Sequence, residues 1–254
     1  MLQKKLILFF LQDHITFLTN KIEADFHQHH YIQVTLALDE PFTLEVENQA
    51  FHTVGAIIDS NKAHKLHGTN GWQLYLLVNP ESIFGEDLRQ KLNDTNGVYI
   101  FQQMHQELLT TIHRIKAVHN HQQYDSFLHN LKQALAIQVV TSQSMIDSRI
   151  QQVLDYIKGT PLEEVEIKRL SRYIYLSESR LSHLFKQEMG ISLTSYLLHE
   201  KIKRAFQLIF SGESMTDAAI EAGFNSSSHF TRSAKEKLGM TPSAIKKDSI
   251  YLKV

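Results

Sequence analysis

The stretch LSESRLSHLFKQEMGIS, residues 176–192, decides the fold, because it returns 49 residues later as NSSSHFTRSAKEKLGMT, residues 225–241. In that register Ser177 falls on Ser226, Ser179 on Ser228, Leu181 on Phe230, Lys186 on Lys235, Gly190 on Gly239 and Ser192 on Thr241. Each copy reads as a hydroxyl N-cap, a helix of about three turns, a glycine free to take positive φ at its end, and a fresh hydroxyl cap. Leu181, Leu184 and Phe185 turn one face of the first helix inward and leave Ser179, Arg180, Ser182, His183 and Lys186 outward. Ser227, Ser228, His229, Thr231 and Arg232 are disposed in the same way around Phe230.

Each copy is preceded by a shorter helical piece and a tight turn, from Ile167 through Leu170 to Leu176 in one case and from Ser214 through Ala219 to Gly223-Phe224 in the other. That is helix-turn-helix anatomy. The outward residues suit base edges, since arginine forks onto guanine O6 and N7 while Ser, Thr and His make shorter contacts. Ser179, Arg180, Ser182, His183, Ser227, Ser228, His229, Thr231 and Arg232 are therefore expected at bases of double-stranded DNA. Lys186, Lys201, Lys203, Arg204 and Lys235, with the helix start at Ser177, are expected at phosphates. The competing reading, a helical domain with a solvated polar face, does not explain why the pattern occurs twice.

The charge distribution points the same way. The 254 residues carry a net charge of −1, but residues 1–147 carry −5 and residues 148–254 carry +4. An acidic half joined to a basic half fits a regulatory part joined to one that faces phosphates. A hydrophobic content of 43% and a charged content of 21% exclude wholesale disorder. The absence of cysteine excludes disulfides and thiolate metal sites. No run approaches the ~20 apolar residues of a membrane span, and the apolar run Leu6 to Leu11 after Lys4 and Lys5 is cut short by Gln12, Asp13 and His14, unlike a secretory signal. The expected location is the cytoplasm.

The ordered set Leu176-Ser177, Leu181-Ser182, Leu184-Phe185-Lys186, Gly190-Ile191-Ser192, Gly223-Phe224, Ser228, Phe230, Arg232 and Gly239-Met240-Thr241-Pro242 resembles the arabinose-operon-regulator (AraC) type of bacterial transcription factors over about Arg149 to Lys247. The resemblance implies two helix-turn-helix units behind a cupin-like sensory barrel, regulation of transcription through DNA, a homodimer, and contact with RNA polymerase if the protein activates. Five positions depart from the family pattern: Lys201 for arginine, Ala234 for phenylalanine, Ile245-Lys246 for tyrosine-arginine and Ser171 for alanine. Ala234 removes ring volume and predicts a more loosely held second helix, with sequence read chiefly by the first.

Upstream, Ile32, Val34, Leu36 and Leu38 alternate, as do Phe42, Leu44 and Val46, and further apolar runs near Ile57 and Leu76 indicate more strands. After Gly97 the period changes. Phe101, Met104, Leu108, Ile112 and Ile115, then Tyr124, Phe127, Leu128, Leu131 and Leu135, predict a helical pair whose stripe Met104, Leu108, Ile112 and Ile115 would dimerise. The expected architecture is α+β: a cupin-like β-barrel over residues 1–97, a helical linker hairpin over 98–146, and an all-helical domain with two helix-turn-helix units over 147–254.

Twelve of the fifteen histidines lie in the first 147 residues. His27, His29, Tyr31, His64 and Trp72 are candidates for the pocket of an unknown small-molecule effector, offering polar tips and flat faces. His27, His29, His64 and His67 form a lesser, metal reading of the same region, and no cofactor is assigned. A metal-dependent cupin enzyme would need a carboxylate soon after the histidines, and Gln33 to Leu38 supplies none. A pure interaction protein would act through the helical pair instead.

Overall fold

The period-two segments form ten short strands: β1 (Leu6–Phe10), β2 (His14–Thr19), β3 (Glu23–His27), β4 (Ile32–Ala37), β5 (Phe42–Val46), β6 (Gln49–Thr53), β7 (Gly55–Ile58), β8 (His64–His67), β9 (Gln73–Val78) and β10 (Val98–Phe101). The computed structural model describes residues 6–251 apart from positions 12, 21–22, 30, 68–70, 81, 138–146, 190 and 239–240. It divides into one unit of residues 1–140 with 235–254 and a second of residues 141–234.

In the first unit the pairings fall into a seven-stranded sheet, β10-β7-β4-β9-β2-β1-β11, with β11 at Ser249–Tyr251, and a four-stranded sheet, β3-β8-β5-β6. Among the described residues these ladders do not join, so two sheets replace the closed barrel expected from the sequence. Glu47 and Asn48, both at positive φ (50° and 63°), make the two-residue turn that sets the β5–β6 register. Alternation gives the seven-stranded sheet two different faces. Ile32, Val34 and Leu36 of β4 join Leu74, Leu76 and Val78 of β9 in the main core, whereas Gln33, Thr35, Gln73 and Tyr75 are buried on the opposite face.

The apolar face is covered by α1 (Ile83–Leu92), α2 (Gln106–His113), a 3-10 turn (Arg114–Ala117) and α3 (His121–Ala134). Ser82, His105 and Asn120 cap the three helices by accepting from the N–H groups of Gly85, Leu108 and Gln123. Leu108, Ile112 and Ile115 are fully buried in the same core as Phe9, Val34 and Tyr124, and Met104 packs against it. The stripe expected to hold a dimer is therefore covered within one chain, because the sheet offers the apolar surface that the helices need. The segment from residue 98 begins as a sheet strand, β10, antiparallel to β7, rather than as helix.

The second unit is built from α4 (Ser148–Gly159), α5 (Ile167–Tyr173), α6 (Glu178–Met189), α7 (Leu193–Ser211), α8 (Met215–Glu221) and, as far as Ala234, α9 (Ser227–Leu238). Its first core unites Ile150, Val153, Ile157, Leu170, Ile174, Leu181, Phe185 and Tyr196. Helix α10 (Pro242–Asp248) follows. The expectation that everything beyond residue 147 is helical fails at the end of the chain, where β11 pairs in parallel with β1 and joins the first unit's sheet. Three residues are too few for a period-two pattern to show.

Candidate nucleic-acid interface

The 49-residue repeat holds at the level of hydrogen bonds. Ser177 Oγ accepts from the Arg180 N–H at 3.2 Å, and Ser226 Oγ accepts from the His229 N–H at 3.1 Å. Their carbonyls accept from Leu181 N–H (2.9 Å) and Phe230 N–H (3.1 Å). Ser192 and Thr241 then cap the following helices through Ser195 N–H (3.1 Å) and Ala244 N–H (3.3 Å). Gly190 and Gly239 lie outside the described residues.

The turns that lead into α6 and α9 share a second pattern. Tyr175 N–H donates to Arg172 O and Leu176 N–H to Ser171 O, at 3.1 and 2.9 Å. Gly223 N–H donates to Ile220 O and Phe224 N–H to Ala219 O, at 2.8 and 2.9 Å. Both are Schellman-type helix ends, but they match at a spacing of 48, so the second turn carries one more residue, Asn225, before its cap. The left-handed position is Tyr175 (φ 56°) in one and Gly223 (φ 82°) in the other.

Ser179, Arg180, Ser182, His183 and Lys186 are all exposed on α6, as are Ser228, His229, Arg232 and Lys235 on α9, while Ser227 and Thr231 are half-buried. Behind α6, Leu181 and Phe185 are sealed, with Phe185 5.3 Å from the Tyr196 ring. Behind α9, Phe230 stands 5.6 Å from Phe206 and 5.2 Å from Phe224. Ala234 is 0% exposed. The loose second helix inferred from Ala234 has no counterpart here, because three phenylalanines fill the space behind that helix.

Lys201, Lys203 and Arg204, among the expected phosphate contacts, pair within the chain. Lys201 Nζ donates to the Gly223 carbonyl at 2.8 Å, and burial lowers its ammonium from its ordinary value against the opposing pull of Glu163. Lys201 thus fixes the turn before α9, which removes it from the phosphate set. Arg204 pairs with Glu221 at 2.6 Å and Lys203 with Glu200 at 3.6 Å, exchangeable surface pairs that leave both groups within reach of solvent.

A second constellation lies in the first unit. His27 and His64 are direct cross-strand partners on β3 and β8, with ring centroids 4.4 Å apart, and His29 follows two residues after His27, 5.2 Å from His64. One ring nitrogen from each of the three lies within 4.8 Å of the others. His29 and His64 are buried, which lowers their pKa values to about 4 and about 3 and keeps both neutral at pH 7. Their Nδ1 atoms face the carbonyls of Tyr31 (3.0 Å) and Lys62 (2.8 Å). Their Nε2 atoms meet Gln33 Oε1 at 2.9 and 3.3 Å. Sequence reasoning passed over Gln33 because it sought a carboxylate.

The remaining candidates are set differently. His67 contacts Glu45 and is exposed: three residues from His64 on one strand, it faces the other way. Tyr31 is buried with its ring 6.4 Å from His29, and burial raises its hydroxyl pKa. Trp72 packs against the main core with Lys116 over its ring at 6.0 Å, and its N–H donates to Asp39.

Residues 170–248 match the model of a helix-turn-helix domain. Uncharacterized HTH-type transcriptional regulators of Staphylococcus aureus are 33% identical over 110 residues, 42% of this chain, and the match spans only 15% of their length. A probable transcriptional regulator, LumQ, of Photobacterium leiognathi is 25% identical over 227 residues, covering 85% of this chain and 90% of that protein. Among solved structures, apo ToxT of Vibrio cholerae superposes with a TM-score of 0.53 at 12% identity over 94% of this chain and 98% of its own, a likeness of fold. No helix among the described residues is long and apolar enough to cross a membrane. Residues 170–248 thus carry a helix-turn-helix domain of the AraC type, and the chain is similar in sequence to proteins named as transcription regulators.

Proposed function

We propose that the chain regulates transcription in the cytoplasm by binding specific double-stranded DNA through two helix-turn-helix units, α5–α6 and α8–α9. The observation that carries this is the doubled cap with a polar face exposed behind it, at Ser177 and Ser226. Both helices are braced from behind, so both read bases: Ser179, Arg180, Ser182 and His183 from α6, and Ser228, His229 and Arg232 from α9, with Ser227 and Thr231 at its margin. Entry into successive major grooves on one face of the duplex would place them ~34 Å apart. Lys186, Lys203, Arg204 and Lys235, with the helix start at Ser177, meet phosphates. The first unit senses a small-molecule effector, and the protein acts as a homodimer, contacting RNA polymerase where it activates.

The test is a selection from randomised duplexes, followed by titration of the enriched site at several salt concentrations. An enriched motif, with affinity falling steeply as salt rises, is the expected outcome. Equal affinity for all sequences would reduce the chain to a nonspecific binder.

A further inference from the structure

We propose that His27, His29 and His64 form a binding site for a divalent transition-metal ion, with zinc as its simplest occupant. The tautomers carry the argument. A neutral imidazole has a single N–H, and both buried rings direct Nδ1 at a backbone carbonyl, Tyr31 O for His29 and Lys62 O for His64, which can only accept. The proton is therefore on Nδ1 in each ring, and both Nε2 lone pairs point inward to one place. A carbonyl holding the far nitrogen of each ring is the outer support that metal-ligating histidines characteristically have.

Gln33 is placed with Oε1 toward the two Nε2 atoms and its NH2 group donating to Thr35 Oγ1, and exchanging the two ends of this amide, which occupy nearly the same space, turns its NH2 toward the two Nε2 lone pairs and its oxygen toward the Thr35 hydroxyl. A bound cation would take over the role of those N–H donors. The third nitrogen comes from half-buried His27, which completes a set of atoms already within 4.8 Å of one another. Three neutral nitrogens suit zinc, nickel, cobalt or iron(II), at metal–nitrogen distances of roughly 2.0–2.1 Å for zinc, and leave a fourth position for water or an oxygen ligand. The donor set carries no carboxylate, which predicts weaker retention than a three-histidine, one-carboxylate set would show. The assignment stands apart from DNA binding and does not rest on it.

The experiment uses the full chain, stripped with a chelator and titrated calorimetrically with zinc sulfate, then with cobalt(II) followed by visible absorption. One zinc per chain is expected, and cobalt should give the bands of a nitrogen-ligated ion of low coordination number. His27→Gln should weaken zinc binding by at least about tenfold, while Gln33→Glu, which supplies a carboxylate, should tighten it by about tenfold or more. His64→Gln should also weaken it. If that variant misfolds, the half-buried His27 decides the matter. His67→Gln should change nothing. Absence of zinc binding at 100-fold molar excess overturns the proposal, as does binding that survives His27→Gln or is lost in His67→Gln.

Discussion

The two helix pairs of the C-terminal half have the same hydrogen bonds and different fillings. Both second helices start on a serine that accepts the N–H three residues on, and both first helices end in the same pair of backbone bonds. The first turn tolerates a tyrosine at positive φ, 94% exposed, whereas the second uses glycine, against which Lys201 and Glu163 pack. The brace behind α6 joins Leu181 and Phe185 to Tyr196, whereas behind α9 three rings, Phe206, Phe224 and Phe230, meet. Capping geometry is thus the repeated element, and two different cores serve it.

Truncation of the braces should have the largest effect. Phe230→Ala should cost about 3–5 kcal/mol and its counterpart Leu181→Ala about 2–5 kcal/mol in urea denaturation. A loss below 1 kcal/mol at Phe230 would show that α9 is not held by its aromatic cluster. Next comes Gly223→Ala. The added Cβ would lie 3.0 Å from Glu163 N and 3.1 Å from Lys201 Cε, on a backbone at φ 82°. A cost of about 1–3 kcal/mol follows, while Tyr175→Ala should be close to neutral, and equal costs at the two sites would remove the distinction between the turns.

The caps should be indistinguishable. Ser177→Ala and Ser226→Ala should each cost about 1 kcal/mol, and a double mutant should show the sum, since the two sites share no partner. A small gain is expected at Tyr175→Gly, where relief of the left-handed backbone (about 1–2 kcal/mol) is largely offset by the greater freedom of glycine in the unfolded chain. A net gain of about 0.5 kcal/mol in thermal melts is predicted, and a clear loss would mean that the exposed ring has a structural partner.

What was legible in the sequence follows from these forces. A cap, an apolar stripe and a second cap are local, so the repeat and its outward residues could be read directly. The shift from 49 to 48 could not, because it lies in a turn whose extra residue, Asn225, leaves no periodic signature. The stripe Leu108, Ile112 and Ile115 was legible as amphipathic, but a period names no partner, and the sheet rather than a second copy covers it. His64 and His67 could have been separated by strand parity alone. Their partners could not, since the pairing of His27 with His64 depends on which strands lie side by side. Lys201 illustrates the opposite error: a cation on a helix reads as a phosphate contact until the Gly223 carbonyl is found 2.8 Å away.

Whether both helices read DNA bases is decided by selection from a randomised duplex library with wild type, Arg180→Ala and Arg232→Ala. A two-part motif with centres about one helical turn apart is expected. Arg180→Ala should relax one part and Arg232→Ala the other, each at about 1–3 kcal/mol for the lost base preference. A motif left intact by both variants would contradict base reading by both helices.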